Sequence, residues 1–139
     1  MRRLLYAILL PLLGCSPSSM EDYRHEGQSW SRSLILELQQ IHTTEELLQS
    51  EHKLKKKFDE SVSLMIAARE YQQKHWEDAL EEPSDSALTE SLNQELQAQL
   101  RRIYDLEGGR ECIERAQQEA LVRLDAHERH LMKKKELQR

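Results

Sequence analysis

The chain has 139 residues, about one domain's worth, with 38% hydrophobic and 32% charged positions but only four glycines, three prolines and seven aromatics. So few turn-forming and strand-forming residues exclude an all-β domain, and a net charge of -5 argues against nucleic-acid binding, which needs a basic face. Twenty-three leucines, nineteen glutamates and twelve glutamines lose little rotamer freedom in a helix and predict a nearly all-α chain; the mean hydropathy of -0.78 predicts a core that is a thin seam.

The N-terminus comes first in the chain and in the argument. Arg2 and Arg3 precede an apolar run over residues 4–13, broken only by Pro11, and the run ends in Leu12-Leu13-Gly14-Cys15. This is the layout of a secretory signal. The run is ~15 Å long as a helix, against the ~30 Å of a bilayer core, so it does not read as a membrane span. The tetrapeptide resembles the lipobox of bacterial lipoproteins, a resemblance confined to about the first fifteen residues. It implies that residues 1–14 are removed as a signal peptide and that Cys15 becomes an acylated first residue. It further implies attachment to the cell membrane or outer membrane, facing periplasm or cell surface. Ser16 follows the cysteine in place of the aspartate that marks inner-membrane retention in some relatives, which favours the outer membrane. The alternative is an ordinary signal peptide cut elsewhere, but no small-x-small triplet ends the run upstream of Cys15. Processing at Cys15 leaves eighteen basic residues against twenty-five acidic ones, a formal charge of -7. Cys112 is then the sole thiol, a small helix residue or a crosslink to another chain.

Residues 15–31 lack apolar period and read as a flexible lipidated tether before a helical domain over 32–139. Helical period begins at Leu34, Leu38 and Ile41. Thr43 and Glu46 have capping-box spacing, at which the helix either breaks or restarts. The seam continues through Leu47, Leu54, Phe58, Val62, Met65, Trp76 and Leu80 to a stop at Pro83, after which Ser84 or Asp85 caps a new helix. Leu88, Leu92, Leu96, Leu100 and Ile103 form an i, i+4 ladder, Gly108-Gly109 interrupts it, and Ile113, Ala116, Ala120, Leu124 and Leu131 lead to Lys133, Lys134 and Lys135.

The segment lengths favour a long antiparallel, coiled-coil-like hairpin. Arm one (33–81) measures ~73 Å and arm two (86–137) ~78 Å at 1.5 Å per residue, with a tip at 82–86 and a Gly-Gly kink at 108–109. The alternative is a three-helix bundle with Gly108-Gly109 as its second turn. In the hairpin, position i faces 166 - i, which puts Lys53, Lys55, Lys56 and Lys57 across from Glu107, Glu111 and Glu114. The tip then stands far from the lipid, and the C-terminal lysines return beside the tether.

Chemistry-bearing patterns are few. No histidine has Glu three residues before it, and no zinc, dinucleotide or phosphate-loop motif is present, so no cofactor and no catalysis are expected. His127 and His130 lie one turn apart and suggest at most an adventitious metal site. The sequence around the tip, with Glu77, Asp78, Glu81, Glu82 and Asp85 and no Lys or Arg, is an acidic candidate surface for a protein partner. Trp76 either packs beneath it or anchors that partner. Trp30 either rests at the membrane interface or caps the bundle.

These features predict a non-enzymatic, lipid-anchored envelope protein presenting a helical hairpin to a protein partner, with neither nucleic acid nor a small-molecule substrate. One alternative is a self-associating spacer, similar to the small helical lipoproteins that link membrane to cell wall, although Pro83 and the terminal Gln138-Arg139 depart from that family. The other is a metal-binding envelope protein.

Overall fold

Ser19 opens the first helix. Its hydroxyl accepts from the Asp22 amide, Glu21 and Asp22 place negative charge in the first turn, and the helix runs through residues that the sequence alone assigns to a tether. The computed structural model describes residues 16–76 and 87–138, with helices α1 (Met20–Gln39), α2 (Thr44–Lys74), α3 (Ala87–Tyr104) and α4 (Gly109–Leu137) and no strand among the described residues. The tether is therefore shorter than expected. Residues 20–31 fold because Tyr23 packs against Tyr71 in a tilted pair, with 5.6 Å between ring centroids, and because the Trp30 indole donates to the Lys57 carbonyl at 2.7 Å.

Both arms of the expected hairpin fold back on themselves. The capping box at Thr43 and Glu46 forms, with each side chain satisfying the other residue's amide, and it starts α2 after a short turn. Gly108, at φ 70°, starts α4 after a matching turn, so the Gly-Gly pair is a turn and not a kink. The two turns share their hydrogen bonds 65 residues apart. Ile41 N donates to Leu38 O and Leu106 N to Ile103 O, both at 3.1 Å, while Leu47 N donates to Thr43 O and Cys112 N to Gly108 O, both at 3.0 Å.

Two helical hairpins thus lie side by side. Within the first, α1 runs antiparallel to α2, as Glu37–Lys53 and Trp30–Lys57 show. Between hairpins the pairing is parallel. Gln28 donates to Thr89 across α1 and α3, and α2 meets α4 through Glu51–Arg115, Lys55–Glu119 and Asp59–Arg123, each pair 64 residues apart. The antiparallel map is therefore corrected: Lys55 faces Glu119, Lys53 reaches Glu37, and Lys57 donates to Ser33. The three-helix alternative is replaced as well, because a further turn at 40–43, besides the one at Gly108-Gly109, makes four helices. The physical reason is the thin seam. A two-arm rod gives each apolar residue one neighbouring helix, whereas four helices bring Leu34, Leu38, Leu47, Leu54, Ile103 and Ile113 into one fully buried cluster.

The topology gives the bundle two distinct ends. Turns 40–43 and 105–108 form one. At the other, the Tyr71 hydroxyl donates to the Ser18 carbonyl at 2.9 Å, which places the entering chain beside the last turn of α2 and the parallel last turns of α4.

Candidate interaction surfaces

The core is tightest at the turn end and opens away from it. Contacts between α3 and α4 are the sparsest of the four packed helix pairs. Near the turn, Gly109 lies against the Ile103 carbonyl and Arg110 sits over the Tyr104 ring, 5.2 Å from its centroid. Farther along, the two helices leave an apolar groove. Leu96 and Leu100 form one wall, Ala120, Leu121 and Leu124 the other, and Trp30, Leu34, Phe58 and Val62 the floor. Its volume is about 260 Å³, and it adjoins a cavity of about 300 Å³ that shares Trp30, Ser61 and Met65 and reaches Gln28 and Thr89. The leucine ladder of α3 is consequently incomplete in its packing. Ile103 is buried, Leu92, Leu96 and Leu100 are half-buried, and Leu88 is 43% exposed. No charged side chain lines the central part of the groove, so it offers dispersion and desolvation rather than ionic recognition.

A second surface lies at the tether end. Trp76 is 63% exposed and shares a shallow cleft of about 540 Å³ with Leu131, Met132, Arg69 and Lys135. Trp76 therefore does not pack into the bundle; Trp30 is the tryptophan held, half-buried, against the core. The remaining acidic candidates Glu77, Asp78, Glu81, Glu82 and Asp85 lie outside the described residues, as do Leu80 and Cys15. Their chain neighbours Trp76 and Ala87 both sit at the tether end, since Thr89 bonds Gln28 of α1 and Tyr71 bonds Ser18.

The other candidates are placed as follows. His127 and His130 line a cavity of about 580 Å³ with Glu70, Lys74, Lys134 and Lys135, and His127 Nε2 is buried without a hydrogen-bond partner. Among the described residues no group of three or more His, Cys, Asp or Glu is placed to hold a metal ion. Cys112 lies in the core, fully buried, with its sulfur toward the Leu47 carbonyl and Glu51. Burial, reinforced by the Glu51 carboxylate, pushes its thiol up, which keeps it protonated and a weak nucleophile. In this packing it cannot reach a second chain. Glu51 itself is held below the ordinary carboxylate range by the hydrogen-bonding Arg115 guanidinium, at 3.0 Å through both oxygens. Asp22 is lowered by the Ser18 amide and Glu46 by the His42 amide, one anchoring the chain's entry and the other the start of α2.

No helix among the described residues is long and apolar enough to cross a membrane. No family model matches this chain, and comparison with curated proteins and with solved structures finds no similar one.

Proposed function

We propose that the chain is a lipid-anchored cell-envelope protein, acylated at Cys15, whose helical bundle binds a protein partner and performs no catalysis. The observation that carries the interaction role is the half-covered leucine ladder of α3, which leaves an apolar groove open along the bundle. An amphipathic helix suits such a groove, because its i, i+4 ridge packs between two existing helices and covers the ladder. The lipobox resemblance and the short tether support the anchored location. Binding thus moves from the acidic segment, where the sequence places it, to the α3–α4 groove.

Crosslinking and pull-down from intact cells tests this reading. Replacing Leu96 and Leu121 by aspartate buries charge wherever a partner helix would sit, so recovery of the partner should fall at least tenfold while membrane fractionation is unchanged. Undiminished recovery contradicts the groove. In parallel, a Cys15→Ala chain should leave the membrane fraction; retention there contradicts the anchor. A self-associating spacer is favoured by the same ladder, since two copies can cover each other's leucines. Sedimentation at several concentrations separates the two, because only the spacer forms an oligomer without a partner.

A further inference from the structure

The tether end carries exposed apolar side chains that the bundle does not use. Trp76 is 63% exposed and Met132 67%, and they share one cleft with Leu131 and Lys135. Lys134 and Lys74 line the neighbouring cavity. The same end receives the chain from Cys15. Ser18 is held by Tyr71, five residues before Trp76, and by the Asp22 carboxylate, which accepts from its amide at 2.8 Å and its hydroxyl at 2.9 Å. Only residues 16–18 separate Cys15 from the folded bundle. Fully extended, three residues span at most ~10 Å, comparable to the ~5–8 Å of headgroup layer on each side of a bilayer. A bundle anchored through Cys15 therefore has little room to stand clear of the lipid.

We infer that this end of the bundle docks on a phospholipid surface, with Trp76 and Met132 entering the interfacial layer and Lys134 and Lys135 reaching lipid phosphates. The inference rests on the anchored reading of Cys15. Indole suits this place because its ring is apolar and its N–H is wet, which is why tryptophan concentrates at membrane interfaces. Lysine stems cover apolar surface while their ammonium groups reach outward. The charge balance decides the kind of lipid contact. Glu70, Glu128 and Glu136 lie among these bases, Glu128 is paired with Arg69, and five carboxylates follow Trp76 in the chain. The contact is accordingly with the phosphate that every phospholipid carries, not with net anionic charge. The short tether supplies a high effective concentration that a weak contact requires.

The test uses the full chain purified from membranes and reconstituted into phosphatidylcholine vesicles, plain or brominated on the acyl chains. Trp30 is half-buried against the core and bonded to Lys57, about three turns of α1 away from the tether end, so Trp76 is the tryptophan positioned to meet bromine. Brominated vesicles should remove roughly half of the tryptophan emission, the Trp76 share. A Trp76→Phe chain with unchanged helical circular dichroism should lose that quenching. A protein that sediments with vesicles but emits equally in both overturns the docking and leaves the anchor intact. Quenching that persists in Trp76→Phe also overturns it, because Trp30 would then be its source. Failure to sediment with either vesicle overturns docking and anchor together.

Discussion

Gly109 is the residue with the least freedom to change. A Cβ built on it would lie 1.9 Å from the Ile103 carbonyl oxygen and 2.9 Å from its carbon, both backbone atoms of the preceding helix. Gly108 has open space around it but a φ of 70° that side chains resist. Gly109→Ala is thus expected to cost roughly 2–4 kcal/mol through a forced backbone shift, and Gly108→Ala about 1 kcal/mol through the left-handed geometry. Urea unfolding of both variants measures this, and a Gly109→Ala chain as stable as the parent contradicts the turn. At this scale legibility followed distance along the chain. The capping box of Thr43 and Glu46 is readable because donor and acceptor are three residues apart. The role of Arg102 is not, because the guanidinium on α3 caps the end of α1 by donating to the Leu38 and Ile41 carbonyls, more than sixty residues away. The burial of Cys112 is not readable either, since it comes from Leu47 on another helix.

The pairing of α2 with α4 is specified by charge order as well as by apolar contact. Along α2 the signs run Glu51, Lys55, Asp59, and along α4 they run Arg115, Glu119, Arg123. A slip of one turn toward larger numbers sets Glu51 against Glu119 and Lys55 against Arg123, so the pattern penalises wrong registers more than it rewards the right one. These pairs are solvated, with side-chain exposures of 44% and 75% for Lys55 and Glu119, so each is worth only ~0–1 kcal/mol. Lys55→Glu should destabilise by about 0.5–1 kcal/mol, and adding Glu119→Lys should restore most of the loss. Strict additivity of the two changes, with no rescue, contradicts the parallel register. The helices from Leu34 onward were legible from period and composition, whereas the start of α1, over residues 20–31, was not. Their direction was not, because segments rich in both Glu and Lys find opposite charges when laid either way. The leucine ladder was likewise visible as a seam, while its half-covered state depends on α4 diverging from α3, which no local spacing records.

The whole molecule is polar in the sense of having unlike ends. Parallel packing of α2 on α4, with α1 returning against α2, gathers the entry of the chain, Trp76 and the C-terminal lysines at one end and leaves both turns at the other. The neighbourhood of tether and lysines was anticipated, but through a rod whose tip pointed away; the two extra turns bring Trp76 and the flanks of the acidic segment to the tether end instead. Anchor, lipid contact and groove all take their orientation from that arrangement. Spin labels on Gln73 and Gln138, in a chain with Cys112→Ala and Cys15→Ala, measure it directly, because both positions are exposed and line one cavity between α2 and α4. The parallel bundle predicts a separation within about 20 Å, one interhelical spacing plus the label arms. A separation of roughly 65 Å, the length an antiparallel two-arm rod places between these positions, would contradict it.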